Sequence, residues 1–400
     1  MQKLFASETS LLRRGKRALL AGLVAFALLN SSPHDALAQG CVAVRGTGML
    51  LRPLEGATPA DADLAADDWL ASLSYRYLHS HRHFVGDVEQ TQRQTAANEV
   101  INHSHFLDLG VQYAFTPRWS VGVTFPVVFS DRSSLAPTNF FRARYYTFAD
   151  GIGDMRFTGY AWLWDPKSQP KGNIQIGIGL KVPTGDDGSE DTFYTANGLV
   201  VRPVDQSIQP GDGGWGFSVE LNAYREIFPR TVAFLQASYL FNPQGDNGVL
   251  TWRDNNSLTP GNVTAAPSSA SYYEHFMSIP DQYFARGGLS YTLVPKWGLS
   301  VNLAGRLEGI PVRDLLGSST GFRRPGFAAA IEPGLEIMKG RYTFNLSVPF
   351  AVYRNRERSL ADQRASDYRI ANPVTGQNPD VHGDAAFADQ VVTASIAVRF

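Results

Sequence analysis

Five of the eight histidines gather in one place: His79, His81 and His83, followed by His103 and His105. Imidazoles two residues apart fall on one face of an extended strand, and a hairpin would bring the two sets together. Such a donor set suits a transition-metal ion. The same row on an outward face would meet lipid phosphate, and a third reading is a solvated loop base. Two serines directly follow histidines, in His79-Ser80-His81 and His103-Ser104-His105. Adjacent side chains of a strand point oppositely, so neither serine is placed to lose its proton to that imidazole. No His-x-Ser occurs, and an enzyme is not expected. Asp186, Asp187, Glu190 and Asp191 could offer oxygens to Ca²⁺, but they lack an ordered ligand spacing and read as a solvated loop. No cofactor is expected.

A second set of residues is charged: Arg76, Asp108, Asp154, Arg156, Lys181, Glu220, Glu226, Arg286, Arg306, Glu308, Glu332, Glu336 and Arg399. Six are basic and seven acidic, so no ring of one sign appears and sharp ion selectivity is not indicated. They matter together only if the elements carrying them turn them toward one space. Either they would form a structural salt-bridge network filling a narrow lumen, or two ladders of opposite charge lining a polar path.

Those elements show strict alternation of apolar and polar residues, the primary strand signal. The pattern predicts twelve strands: 69–79, 104–116, 119–130, 151–164, 173–183, 215–227, a seventh ending near 241, 281–293, 297–310, 327–338, 341–353 and 389–400. Long loops and short turns alternate between them, as in a transmembrane antiparallel β-barrel with short periplasmic turns and long extracellular loops. In these strands the thirteen named charges fall on the inward phase, toward a lumen. The final strand ends on Phe400, which resembles the signal read by the outer-membrane barrel assembly machinery, and it must pair with the first strand.

The remaining sequence fits that address. Arg13, Arg14, Lys16 and Arg17 precede a twelve-residue apolar run and Ala36-Leu37-Ala38, so residues 1–38 read as a signal peptide cleaved near Ala38. Residues 39–68 read as a periplasmic arm or a plug, and 69–400 as the barrel in the cell outer membrane. No run of eighteen apolar residues occurs, the net charge is −1, and one Cys, Cys41, precludes an internal disulfide. Nucleic acid is not an expected partner; outer-membrane lipid, lipopolysaccharide and a small solute are.

Two repeats punctuate the strands. Thr116-Pro117-Arg118-Trp119, Phe228-Pro229-Arg230-Thr231 and Val294-Pro295-Lys296-Trp297 share a turn recipe, and Trp69, Trp119, Trp162, Trp164 and Trp297 lie at the turn end, with Trp162 and Trp164 phased inward. Pro126, Pro183, Pro243, Pro311 and Pro349 lie toward the loop end. They either terminate strands or break pairing there, because proline cannot donate to a ladder.

Three glycine-rich segments carry a resemblance: Gly151-Ile152-Gly153-Asp154, the run Leu180-Lys181-Val182-Pro183-Thr184-Gly185-Asp186, and Gln209-Pro210-Gly211-Asp212-Gly213-Gly214. In order and spacing they resemble the Gram-negative outer-membrane transporter family labelled for the MetA-pathway of phenol degradation, FadL-like in style. The resemblance implies uptake of small aromatic or hydrophobic solutes across the outer membrane. The alternative from the residues alone is a non-conducting surface barrel that binds lipopolysaccharide or a partner through its loops.

Overall fold

The structure is a computed structural model that describes residues 64–136, 143–195, 198–251 and 266–400. The expected signal peptide and nearly all of the arm lie outside these residues. Twelve antiparallel strands close into one barrel. The first half of the chain supplies β1 (Trp69–Val85), β2 (Ile101–Ala114), β3 (Trp119–Leu135), β4 in two parts (Arg144–Ile152 and Met155–Trp162), β5 (Gly172–Val182) and β6 (Gly216–Phe228). The second half supplies β7 (Thr231–Phe241), β8 (Gln282–Val294), β9 (Leu299–Ile310), β10 (Gly326–Lys339), β11 in two parts (Tyr342–Ser347 and Phe350–Arg356) and β12 (Ala385–Arg399). Each strand pairs with its sequence neighbour. β12 closes on β1 in a register running from Leu70↔Arg399 to Phe84↔Ala385. Closure satisfies the backbone without an edge, which a strand facing hydrocarbon requires. No helix among the described residues is long and apolar enough to cross a membrane.

The alternation sorts the two faces. Leu109, Val111, Val121, Phe157, Ile178, Leu180, Leu289, Leu303 and Leu335 are exposed on the outer wall. Asp108, Gln112, Gln175, Glu220, Asn222, Gln236, Ser290 and Glu332 are buried inside. An apolar outside and a polar inside invert the soluble pattern and match a lipid-facing wall.

The turn end is a ring of aromatic side chains. Trp69, Trp119, Trp164 and Trp297 are exposed there. Trp162 does turn inward, meeting Tyr224 edge-on at 5.8 Å and packing on Val232 as an apolar floor. Trp164, also phased inward in the sequence, is instead on the outside, because the ladder ends at Trp162 and releases the chain. Arg118 ties the adjoining turn by donating to the carbonyls of Trp162 (3.2 Å) and Leu163 (2.9 Å).

Two strands are interrupted where the alternation predicts continuity. β4 breaks at Gly153-Asp154, opposite Pro126, whose carbonyl accepts from the Gly153 amide at 2.8 Å. β11 breaks at Val348-Pro349, opposite Pro333 of β10, whose carbonyl accepts from the Val348 amide at 3.1 Å. Pro126 and Pro333 have no N–H to return, so each ladder is interrupted beside them and resumes on the far side. Pro183, Pro243 and Pro311 follow the last residues of β5, β7 and β9 and simply end them.

Each break unzips a seam toward the loop end. Arg144–Ile152 pairs with β3, from Leu135↔Arg144 to Val127↔Ile152, but with no strand on its β5 side among the described residues. The loop after β5 covers that side: Val204 and Ile208 pack with Ala149 and Phe193, and the Phe148 amide donates to Asp191 Oδ2 at 2.8 Å. Phe350–Arg356 pairs with β10 and meets β12 only at Phe350↔Gln390. Small and aromatic side chains (Phe84, Ala328, Ala330, Ala351, Ala385 and Phe387) fill that seam. The long loops are more structured than their composition suggests. They carry a hairpin of Glu190–Thr195 with Gly198–Pro203, and a helix Leu360–Ala371 opened by a Ser359/Asp362 capping box.

Candidate functional site

The three glycine-rich segments, up to sixty residues apart in sequence, meet at the β4 break. Asp154 sits in the break itself, outside either ladder. Its Oδ1 accepts from the Gly185 amide at 3.1 Å and its Oδ2 from the Asp212 amide at 3.0 Å. Thr184 Oγ1 donates to the Gly153 carbonyl at 3.0 Å and accepts from the Met155 amide at 2.9 Å. Lys181, buried at the end of β5, grips both Asp212 carboxylate oxygens at 2.5 Å. The glycines are needed for the approach: a Cβ on Gly185 would lie 2.7 Å from Gly211 Cα and 2.9 Å from the Gly153 carbonyl carbon. One carboxylate thus bolts two loop segments across the place where the wall loses its ladder.

Two cavities flank this junction. The upper, about 60 Å³, lies under the loops and is lined by Leu78, Phe106, Met277 and Ile310 on one side and by Gln206, Gln209, Asn247, Arg323 and Arg324 on the other. The lower, about 20 Å³, lies against the break and is lined by Asp108, Pro126, Gly153, Asp154, Arg156, Lys181 and Pro210. Both arginines of the upper cavity have carboxylate partners. Arg323 holds Asp314 at 2.6 and 2.9 Å, and Arg324 holds Asp205 at 2.7 and 2.8 Å. Burial alone would raise the Asp205 carboxyl, but the Arg132 and Arg324 guanidiniums hold it well below the usual carboxylate range. The Gln206-to-Gly211 lining comes from the loop after β5, which the sequence presents only as a polar run.

Below and across from these cavities the lumen is filled by charge. Glu332 lies between Arg286 (3.3 Å) and Arg306 (3.4 Å), and Arg306 reaches Glu308 at 3.1 Å, all of them buried. Arg286 also donates to Gln236 Oε1 at 3.1 Å. Opposite signs are therefore interleaved on β8, β9 and β10, not separated into two ladders. Glu220 accepts from Tyr160 Oη at 3.1 Å, and Arg76 places its guanidinium 4.6 Å from the centre of the Phe106 ring. Glu336 is fully buried on the same face of β10, four residues from Glu332 toward the turn end. Two of the expected inward charges lie at the turn rim, half-buried. Arg399 pairs opposite Leu70 at the turn rim, whereas Arg76 pairs opposite Thr393, six residues farther along, so the two are not neighbours. Glu226 sits at the same rim, 3.5 Å from the exposed Lys171.

The histidines do converge, but on the outer wall. His79 pairs opposite His103 with ring centroids 4.6 Å apart, and His81 stacks on His79 at 4.6 Å. His103 meets Asp131 at 2.9 Å, His81 meets Asp389 at 3.3 Å, and His105 accepts or donates to Tyr75 at 2.8 Å. His83 breaks the expected phase. Irregular register around Ser80 and Arg82 turns it inward, onto Asp384 at 2.8 Å and the Val100 backbone. No group of three ligating side chains placed to hold a metal ion occurs among the described residues. In the acidic loop, Asp186 spends its oxygens on the Gly188 amide (3.0 Å) and Ser189 Oγ (2.5 Å), as a turn.

No family model and no curated protein matches the chain. Solved barrels are similar at low identity. An outer membrane channel from Pseudomonas putida F1 is 12% identical with a TM-score of 0.47, covering 84% of this chain and 97% of that one. The Pseudomonas putida toluene transporter TodX is 12% identical with a TM-score of 0.40, covering 92% and 98%. The translocator domain of the autotransporter NalP from Neisseria meningitidis is 11% identical with a TM-score of 0.43, covering 84% and 90%.

Proposed function

We propose that the protein is an outer-membrane channel for passive uptake of small solutes, and that neutral aromatic or hydrophobic compounds are the class it takes. The observation that carries this reading is the pair of cavities in series, running from beneath the loops to the break in β4. A solute would enter among the loops, rest with its apolar face on Leu78, Phe106 and Met277, and turn any polar group to Gln206 or Gln209. A carboxylate is not favoured, because Arg323 and Arg324 already serve Asp314 and Asp205. Passage straight down the axis would cross the Arg286–Glu332–Arg306–Glu308 network and the Trp162–Tyr224 floor. The lower cavity points instead at the wall, where Pro126 and Gly153 leave the seam open to displacement.

That same filled lumen favours the second reading, a non-conducting surface barrel. Uptake of radiolabelled resorcinol into lipopolysaccharide-bearing proteoliposomes separates the two. Entry faster than into protein-free vesicles supports the channel. Rates equal to those of protein-free vesicles overturn it.

A further inference from the structure

The two cavities share three lining residues, Phe106, Asp212 and Gln282. We propose that these form the neck between them, and that the Phe106 ring is the moving part that sets which solutes pass; this rests on the channel reading above. The upper and lower spaces, about 60 and 20 Å³, are each too small for a benzene ring, so no such solute fits between them as the side chains stand. Something lining it must move for a solute to descend.

Asp212 cannot supply that motion cheaply. Its carboxylate is gripped by Lys181, its amide is bound by Asp154, and its carbonyl accepts from Asn247 at 3.2 Å. Moving it would break a buried ion pair and unbolt the loop from the wall. Gln282 is buried at the start of β8 and has a partner of its own to lose. Phe106 is different. Its inward ring is held by packing against Leu78 and Val128 and by the Arg76 guanidinium beneath it. Dispersion and cation–π contacts lack the directionality of hydrogen bonds, so a rotamer change breaks no polar pair. A flat aromatic solute can replace the contacts that the ring gives up, on the same guanidinium and the same aliphatic neighbours. The neck therefore discriminates by shape: it yields to a flat, neutral ring and not to a bulkier or charged molecule of equal mass.

The test compares resorcinol with arabinose, a non-planar neutral solute of similar size, in vesicles carrying the full chain. Wild-type protein should favour resorcinol. Phe106→Ala should raise arabinose entry by about three- to tenfold and erase the preference, while Phe106→Trp should slow both. Phe106→Leu, or separately Arg76→Met to loosen the ring, serves if the alanine variant fails to show heat-modifiable mobility. Wild-type entry above protein-free vesicles with an unchanged preference in all folded variants overturns the neck but leaves the channel standing. Wild-type entry equal to protein-free vesicles overturns the channel. If the Phe106→Ala protein is then also inert, the neck falls with it, whereas a leaky Phe106→Ala protein supports a Phe106 closure.

Discussion

Removing Glu332 alone should be far more damaging than removing the whole charge network it belongs to. Glu332 is fully buried between Arg286 and Arg306 at 3.3 and 3.4 Å. In Glu332→Leu, Arg306 keeps Glu308 at 3.1 Å, while Arg286 loses its 3.3 Å ion pair and keeps the Gln236 amide at 3.1 Å and the Phe234 ring. The Arg286 guanidinium then loses that carboxylate while remaining buried. Breaking one partner of a buried pair costs about 3–5 kcal/mol. Replacing Arg286, Arg306, Glu308 and Glu332 together by Met and Leu removes the charges and their desolvation cost at once, and should cost about 0–2 kcal/mol. The assay is equilibrium urea unfolding of the protein in lipid vesicles, followed by tryptophan fluorescence. The reasoning fails if Glu332→Leu costs under about 1 kcal/mol, or if the fourfold replacement costs more than the single one.

Three further outcomes follow from the same structure. Asp205, whose carboxyl is held low by Arg132 and Arg324, stabilises the docked loop above its unfolded pKa of about 4 and loses that contribution only as pH falls through its still lower folded value. Hydrogen-exchange protection factors of residues 204–212 should thus be unchanged from pH 7 to pH 5, whereas Asp205→Asn should lower them at both. Gly185→Ala must displace Gly211 or Gly153 and should open the β4 seam, measured as faster protease cleavage between 184 and 213 with the barrel ladder still protected. Trp162→Ala should leave a cavity against Tyr224 and Val232 and cost about 3–5 kcal/mol in the same unfolding assay.

The strands were legible because their residues answer to one demand, apolar toward lipid and polar toward the lumen, and that demand repeats every two positions. It reaches from Trp69 to Phe400 without help from any distant residue. The candidate site was legible only in part. Asp108, Asp154, Lys181 and Arg156 carried the right phase, and the glycine-rich segments carried the right composition. Their meeting did not follow from either, since it depends on loop residues 184–186 and 209–214 folding back on a strand break that local alternation smooths over. Gln206 and Gln282 gave no signal at all, being ordinary polar residues of a loop and a strand start, and Gln209 gave only its place at the head of the third glycine-rich segment. His83 was misphased for a similar reason, because a register irregularity leaves no mark in a pattern of alternating histidines.

The two breaks also divide the molecule mechanically. At the turn end the twelve strands make an uninterrupted hoop, stiff against any change of circumference. Above Gly153 and Val348 the same strands make two staves, β12 with β1, β2, β3 and the upper part of β4, and β5 to β10 with the upper part of β11, tied across the second slit by Phe350↔Gln390 at its foot and by the Gly86–Arg356 backbone pair near its top. The slits lie five strands apart on one side and seven on the other, so the staves are nearly matched in width. A cylinder slit at two nearly opposite places resists torsion at its intact hoop but flexes easily at its open mouth. Lateral pressure in the surrounding leaflet would act on that mouth as on a spring collet, with Asp154 and the alanine-filled seam as its two keepers.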